Sequence, residues 1–301
     1  MTATTKRLAA AFVALLCAFA LVACSQPAND PQPAQGEQVT ATESKPESQP
    51  TAQQTSSKAE SGSSGKSATL DTRAAEFAVD PARTDWNFDA PATKTVYLTF
   101  DDGPSENTQA VLDILDKYGI KATFFVTGIN PDYLSMIEKC YERGHTIGLH
   151  TYSHQYDQVY ASVDAYWDDL NRIGGVVKEQ IGYVPCFIRF PGGSSNTISA
   201  DYTTGIMSAL ADEVVAAGYQ YFDWDASCGD GATHTADELV EASKADTAYG
   251  YQSIVFLMHD GAQKETTVEA LPRIIEYFKS EGYEFAPIDR STCVPHHGIG
   301  N

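Results

Sequence analysis

The chain has 301 residues, of which 40 are acidic and 20 are basic, and its formal net charge is −20. Nucleic-acid binding relies on Lys and Arg contacts to phosphates, so this charge balance argues against a nucleic-acid partner. Because the sequence contains neither an internal repeat nor a second linker, we expect one folded domain. A monomer is also expected, although no pattern in the sequence determines the oligomeric state.

The first 23 residues have the pattern of a secretory signal. Lys6 and Arg7 precede an apolar run over residues 8–23, which is shorter than the ~20 residues that a membrane-spanning helix needs. Residues 21–24 read Leu-Val-Ala-Cys and resemble the lipobox of bacterial lipoproteins. The resemblance implies that lipid on Cys24 anchors the protein to the outside of the cell membrane, facing the cell wall. An ordinary signal peptide is the alternative.

Residues 24–71 are rich in Ser, Thr, Gln, Pro, Ala, Glu and Gly and contain almost no large apolar side chains. Such a composition cannot bury enough surface to offset the entropy lost on ordering, so we predict a disordered tether. Aromatic and β-branched residues become frequent from about residue 72, and residues 72–301 are long enough for one sizeable core.

Four of the six cysteines lie in the predicted domain: Cys140, Cys186, Cys228 and Cys293. An even number is compatible with disulfides in an exported protein, and we hypothesise the pairs Cys140–Cys186 and Cys228–Cys293. No two of the four have Cys-x-x-Cys spacing, which argues against a zinc site made of cysteines.

Short apolar runs alternate with longer amphipathic segments throughout the predicted domain. The apolar runs predict seven strands, over residues 96–100, 122–127, 146–150, 187–190, 219–223, 253–258 and 283–288. The amphipathic segments predict helices near residues 106–118, 132–142, 162–181, 203–217, 237–248 and 268–281. This alternation indicates a mainly parallel α/β sheet, and the periodicity is compatible with both an open sheet and a barrel.

Polar and titratable side chains follow or end five of the predicted strands. They are Asp101, Asp102, His150, Arg189, Asp223, Asp225, His259 and Asp260. Because the carboxyl ends of parallel strands form the binding face of α/β folds, we expect these side chains to converge on one rim.

His150 and His154 are separated by three residues. On an extended strand they would stand ~13 Å apart, too far for one ion, so we expect the chain to bend at His150. Two imidazoles are suitable ligands for a zinc-like metal. The alternative interpretation is that both histidines lie at the surface and bind no metal. Since no carboxylate stands between them, as in H-E-x-x-H enzymes, the third ligand and a general base must come from elsewhere, and Asp101 and Asp102 supply both.

Four motifs resemble, in the same order, those of polysaccharide deacetylases of the NodB-homology type, carbohydrate esterase family four. They are TFDDGP (residues 99–104), HTYSH (150–154), RFPGG (189–193) and LMHD (257–260). The resemblance extends over residues 95–288 and implies a distorted (β/α) barrel with about seven parallel strands.

The resemblance implies a role for each motif residue. The metal, usually Zn²⁺ with Co²⁺ or Ni²⁺ as alternatives, would be held by Asp102, His150 and His154. Asp101 would be the general base, oriented by Arg189, and His259 would be the general acid that protonates the leaving amine. Water would attack the acetamide of an N-acetylglucosamine unit, and the backbone N–H of Gly193 would stabilise the oxyanion. The products would be acetate and a glucosamine unit.

The sequence departs from the family pattern in two motifs. Many relatives read R-x-P-P-Y where this chain has RFPGG, so Gly193 replaces a tyrosine that forms a wall of the sugar site. The two glycines could alternatively form an anion-binding nest. The fourth motif, often D-x-x-D-W, aligns with residues 227–231, so Ser227 stands where an aspartate tunes the acid histidine. The candidates to replace that aspartate are Asp223, Asp225 and Asp230.

Substrate contacts are predicted for residues next to the motifs. Tyr152 and Trp224 are candidates for stacking on sugar rings, and Leu257 belongs with them as a candidate substrate residue. Histidines without a spacing pattern are predicted to lie at the surface: His145, His234, His296 and His297. The leading hypothesis is an N-deacetylase acting on peptidoglycan. An O-acetyl xylan esterase, a chitooligosaccharide deacetylase and a lipoprotein that binds glycan without turnover are the alternatives.

Overall fold

Eight strands joined by parallel pairings form the sheet of residues 72–301, the part of the chain that the computed structural model describes. The strands are β1 (Thr95–Asp101), β2 (Thr123–Thr127), β3 (Thr146–Thr151), β4 (Phe187–Ile188), β5 (Gln220–Tyr221), β6 (Ala226–Ser227), β7 (Ser253–His259) and β8 (Glu284–Phe285). Their order is β5-β4-β3-β2-β1-β7-β6, and β8 pairs with the start of β1. The seven-stranded path curls into a half-barrel, which confirms the predicted fold class.

Seven α-helices lie between these strands: Thr108–Tyr118, Met136–Glu142, Tyr156–Val159, Val163–Ile181, Ile206–Ala216, Ala236–Asp246 and Glu265–Ser280. Single turns of 3₁₀-helix cover Pro131–Tyr133 and Ile198–Asp201, and residues 72–77 are also helical. The predicted helices match within a few residues. Strand β6 was not predicted, because two residues between Asp225 and Cys228 give no run of apolar side chains from which to infer a strand.

The predicted signal peptide and tether lie outside the described residues. At the start of the described part, Arg73 donates hydrogen bonds to the carbonyl oxygens of Tyr141 and His145, at 2.9 and 2.5 Å. The N–H of Cys186 donates to the carbonyl oxygen of Phe77. These partners immediately precede β3 and β4, so the chain enters the domain at the amino ends of the strands. Among residues 72–301, no helix combines the length and apolar character needed to cross a membrane.

The cysteines of the domain are free thiols, so the prediction of two disulfides is wrong. Cys186 lies beside the guanidinium of Arg290, and the Cys293 thiol donates to the carbonyl oxygen of Phe88. The prediction that His145 lies at the surface is also wrong. Its ring is buried, and its Nδ1 accepts the N–H of Ala122 at 3.0 Å. Burial lowers the pKa of His145 to about 3.

Gly148 on β3 leaves room for the ring of Phe125 on β2, its partner in the strand register. A Cβ at position 148 would stand 2.5 Å from Cδ1 of Phe125, far closer than carbon atoms approach without displacement. The Phe125 ring is fully buried and supports the guanidinium of Arg189, whose central carbon lies 4.3 Å from the ring centroid. The glycine therefore permits a packing arrangement directly beneath the predicted active site.

We predict that Gly148→Ala lowers the free energy of unfolding by about 1–3 kcal/mol, because the added methyl group overpacks a buried ring. The matched control is Gly175→Ala. Gly175 lies in the Val163–Ile181 helix, where an added Cβ would meet no atom within 4 Å, so alanine there should raise stability by about 0.5–1 kcal/mol. Urea denaturation of the full chain measures the free energy of unfolding of both variants. Equal stabilities for the two variants would contradict the packing argument.

Candidate active site

The register of β1 and β7 brings two predicted catalytic residues together. Asp101 and His259 are partners in this parallel pair, and neighbouring strands lie about 4.8 Å apart. Both residues end their strands, at the carboxyl edge of the sheet. Asp102, His150, His154 and Arg189 reach the same edge, so the six predicted catalytic and metal-binding residues lie in one site.

Asp102, His150 and His154 each turn a ligand atom toward one point, with those atoms within 4.8 Å of one another. Oδ1 of Asp102 lies 3.5 Å from Nε2 of His150 and 3.3 Å from Nε2 of His154. The expected bend at His150 is present. The β2–β3 register passes from Leu149 to Thr151 across consecutive residues of β2, which leaves His150 as the extra residue of a bulge.

The donor set fits a divalent transition metal. His150 Nδ1 lies 2.6 Å from the carbonyl oxygen of Arg189, so Nδ1 carries the proton and Nε2 presents a lone pair. Burial, followed by the neighbouring His154, lowers the pKa of His150 to about 3, so this ring is neutral. Oδ1 of Asp102 is buried and accepts no hydrogen bond. Lone pairs on nitrogen and oxygen therefore face one another, an arrangement that a bound cation would stabilise.

Backbone geometry around these ligands is unusual. Asp102 and His154 have φ values of 68° and 53°, in the left-handed region that side chains other than glycine rarely occupy. Gly103 follows Asp102, and a Cβ at Gly103 would clash with the Asp260 carboxylate. The sharp turn after β1 thus lets both aspartates of the motif reach the site.

Asp101 and Arg189 form a buried ion pair. Nη1 of Arg189 donates to Oδ1 of Asp101 at 2.8 Å, and the side chains of Arg189 and Asp101 are 0% and 4% exposed. The remaining N–H groups of Arg189 donate to Thr99 Oγ1 and to the carbonyl oxygens of Phe222 and Asp223. Burial raises the pKa of Asp101, while the positive charge of Arg189 acts in the opposite direction. Arg189 therefore favours the carboxylate form of Asp101, while burial leaves the pKa above its ordinary value.

His259 is held by Asp230, one of the three aspartates that the sequence left open. Oδ1 of Asp230 accepts from Nδ1 of His259 at 2.8 Å, and Oδ2 accepts from the His259 backbone N–H and from Thr267 Oγ1. Burial acts to lower the pKa of His259, but the Asp230 hydrogen bond and charge outweigh it and raise that pKa to about 9. Asp225 instead accepts the N–H of Val255.

The Gly-Gly loop after Arg189 binds an anion from its own chain. Asp223 Oδ1 accepts the N–H of Ser194 at 2.8 Å, and Oδ2 accepts the Ser194 hydroxyl and the N–H of His297. The donors to this carboxylate are Ser194 and His297, so the anion-binding nest of Gly192 and Gly193 stays a prediction. The Gly193 N–H donates to the carbonyl oxygen of Phe190 at 2.8 Å. Its predicted role as oxyanion donor would require this turn hydrogen bond to open.

The predicted substrate residues occupy different surroundings. Trp224 is half-buried, and its ring edge would lie 3.0 Å from a Cβ on Gly193, so the indole fills space beside that glycine. Leu257 is buried in β7. Tyr152 packs under the guanidinium of Arg172, 3.5 Å from its ring centroid, so one face of the ring is covered.

Two histidines predicted to lie at the surface contribute to this region. His297 Nε2 donates to the carbonyl oxygen of Trp224 at 2.7 Å, and its ring packs edge-on against the indole at 4.8 Å. His296 stacks on Tyr221 with ring centroids 3.9 Å apart. His296 is exposed, as predicted, whereas His297 is partly buried. No pattern in the sequence shows that the residues around them fold back over β5.

Comparison with known proteins identifies the family. The polysaccharide deacetylase family profile matches residues 89–206. The solved catalytic domain of a peptidoglycan N-acetylglucosamine deacetylase from Eubacterium rectale is 43% identical, with a TM-score of 0.69, and the alignment covers 74% of this chain and 100% of that one. This chain belongs to the polysaccharide deacetylase family.

Two curated relatives extend the comparison. A peptidoglycan-N-acetylglucosamine deacetylase from Bacillus cereus is 29% identical over 215 residues, which cover 69% of this chain and 74% of that protein. A bifunctional xylanase/deacetylase from Pseudobutyrivibrio xylanivorans is 30% identical over 197 residues, which cover 65% of this chain but only 30% of that protein. The similarity to the second protein is therefore confined to a part of it.

We predict that Asp230→Asn lowers the pKa of His259 from about 9 to below its ordinary value of 6.5, because burial then acts without the opposing charge. The raised pKa means that the pair stabilises the fold fully below pH ~6.5 and that this contribution is lost as pH rises through about 9. The variant should lose this pH dependence of stability.

NMR titration of the imidazoles in the chelator-treated full chain measures the pKa of His259. Asp237→Asn, at an exposed carboxylate, is the control, and an unchanged His259 pKa in Asp230→Asn would contradict the assignment.

Proposed function

We propose that this protein is a metal-dependent hydrolase that removes N-acetyl groups from N-acetylglucosamine units of peptidoglycan. The observation that carries the proposal is the pairing of two differently tuned groups on adjacent strands. Asp101 is held by Arg189, His259 is held by Asp230, and the Asp102–His150–His154 cluster lies beside them. A general base, a general acid and a metal site are the parts that amide hydrolysis of this type requires.

Asp102, His150 and His154 would hold the metal, with zinc as the expected ion and Co²⁺ or Ni²⁺ as alternatives. When bound, the ion would supply Lewis-acid activation of water and of the acetamide carbonyl. The side chains of Asp102 and His154 are 25% and 26% exposed, so the cluster is open to solvent on one side. A substrate can therefore approach these ligands from the rim of the half-barrel.

Asp101 would take the proton from the attacking water. Its carboxylate is oriented by the Arg189 hydrogen bond, so the remaining oxygen is directed away from the guanidinium. His259 would then protonate the leaving amine. Because the Asp230 carboxylate can only accept, Nδ1 of His259 carries a proton and Nε2 is the nitrogen that can donate toward substrate. The high pKa of His259 keeps the ring protonated at neutral pH, as a general acid requires.

Trp224 is the best-placed candidate for contact with a sugar ring. The indole borders Gly193, which occupies the position of a tyrosine in many relatives. His297 donates a hydrogen bond to the backbone carbonyl oxygen of Trp224 and packs edge-on against the indole ring. The indole would therefore replace part of the wall that the glycine removes. Tyr152, in contrast, is covered by Arg172 on one face, which favours a packing role.

Peptidoglycan is favoured as the polymer because relatives that match this chain over about two thirds of its length are named for that substrate. The predicted lipid on Cys24 and the tether over residues 24–71 would hold the domain outside the cell membrane. The chain enters the domain at the amino ends of the strands, opposite the catalytic rim.

An O-acetyl xylan esterase activity is the second candidate, since one relative is a bifunctional xylanase/deacetylase. The chemistry of the site would be the same, with an ester in place of an amide. A glycan-binding protein without turnover is disfavoured, because all six catalytic and metal-binding residues converge with the partners that orient them.

The full chain with Zn²⁺ is expected to release acetate from peptidoglycan, and a chelator should abolish the release. Asp101→Asn should lower kcat by at least ~100-fold, because a positioned general base contributes about 10²–10⁴. The control is Asp113→Asn, at an exposed carboxylate on the Thr108–Tyr118 helix that should leave the rate unchanged. Acetate released from acetylated xylan but not from peptidoglycan would select the second candidate. Folded, zinc-loaded protein that releases acetate from neither of these polymers, nor from chitooligosaccharides, would contradict the deacetylase.

Cys24→Ser is expected to move the protein from the membrane fraction to the soluble exported fraction, because the lipid attachment site is lost. Cys17→Ser, at the other cysteine of the signal region, should leave the protein with the membranes. Fractionation followed by immunodetection measures both. Retention of Cys24→Ser in the membrane fraction would contradict lipid anchoring at this cysteine.

A further inference from the structure

The turn that separates the two histidine ligands is held by a helix outside the catalytic motifs. Asp169, on the Val163–Ile181 helix, accepts the backbone N–H of Tyr152 through Oδ1 at 2.5 Å. The same carboxylate accepts the N–H of Ser153 through Oδ2 at 3.1 Å. Both donors lie between His150 and His154, so one side chain fixes the path of the chain from the first histidine to the second.

A third hydrogen bond completes this turn. The N–H of His154 donates to Thr151 Oγ1 at 3.1 Å. Three consecutive backbone N–H groups are therefore bound to side chains, just where His154 adopts its left-handed conformation. Without these acceptors the turn would have other conformations available, and in most of them His154 would point away from His150.

Arg172 secures the side chain in the middle of the turn. Its guanidinium lies over the Tyr152 ring, 3.5 Å from the centroid, at a distance suited to a cation–π contact. The ring also lies against Gly128, where an added Cβ would clash with Cδ2 of Tyr152. The Gly128 N–H donates to the carbonyl oxygen of Tyr152. Since Asp169 and Arg172 are three residues apart, they lie on one face of the helix.

We infer that Asp169 and Arg172 are positioning residues of the metal centre, which hold the His150–His154 turn in its ligating conformation before any ion binds. This inference rests on the metal site of the proposed function. Partners that orient metal ligands typically change metal affinity by about 10–100-fold when they are removed. The physical reason is preorganisation, because a turn that is already ordered loses less conformational freedom when the ion binds.

The test is the zinc affinity of the full chain, measured by competition with a chelating indicator, with the stability of each metal-free variant measured alongside. Asp169→Ala is expected to raise the Kd for Zn²⁺ by about 10–100-fold, and Asp169→Asn, which keeps the size and one acceptor oxygen, by less. Arg172→Met, which retains the aliphatic length without the charge, should also weaken binding. Asp168→Ala is the matched control, since Asp168 is the exposed neighbour on the same helix.

The outcomes separate this inference from the proposed function. Weaker zinc binding by folded Asp169→Ala, with Asp168→Ala equal to the wild type, would support the positioning role. If Asp169→Ala does not fold, the zinc affinity of Asp169→Asn tests the positioning role instead. An affinity of the folded Asp169 variant within twofold of the wild type would overturn the inference while leaving the metal site intact. A wild-type chain that binds no zinc would overturn both.

Discussion

The site depends on one fully buried side chain, Arg189. Its guanidinium binds Asp101 and Thr99 on β1 and the carbonyl oxygens of Phe222 and Asp223 beyond β5. Its backbone carbonyl accepts Nδ1–H of His150 and thereby sets the tautomer of a proposed metal ligand. One residue thus connects the proposed general base, the proposed metal site and the Gly-Gly loop. A buried charge with this many partners also fixes their relative positions, because an unsatisfied guanidinium in the interior would be strongly destabilising.

Two titratable groups with opposite proposed roles, a general base and a general acid, lie side by side, and each has a partner of opposite charge. Burial raises the pKa of Asp101, and its cationic partner Arg189 opposes that rise. His259 has an anionic partner, which favours the imidazolium despite burial. Because β1 and β7 place the two residues in register, the pairing of these strands brings the proposed base and the proposed acid close together. The proposed acid–base chemistry therefore depends on the pairing of β1 with β7 and on one oppositely charged partner each for Asp101 and His259.

The convergence of the candidate site residues could be predicted because parallel strands end at a common edge. Asp101, Asp102, His150, Arg189 and His259 all occur at such ends. The bend at His150 also followed, since an extended strand separates two such histidines too widely. Other features could not be predicted. The sequence left three aspartates as equal candidates for the partner of His259. Only the path of the chain through β6 shows that Asp230 is that partner. Asp169 contacts Tyr152 and His297 contacts Trp224, and these partners are 17 and 73 residues away in the sequence. No local sequence pattern therefore indicates either contact.

The pH dependence of kcat/KM for acetate release from peptidoglycan by the zinc-loaded full chain tests the central claim most directly. The account predicts a bell-shaped profile. Activity should rise on the acid side as Asp101 loses its proton to serve as the base, and should fall on the alkaline side as His259 loses the proton that it must donate. A profile that stays flat at alkaline pH, well above the pKa of His259, would contradict the assignment of His259 as the general acid.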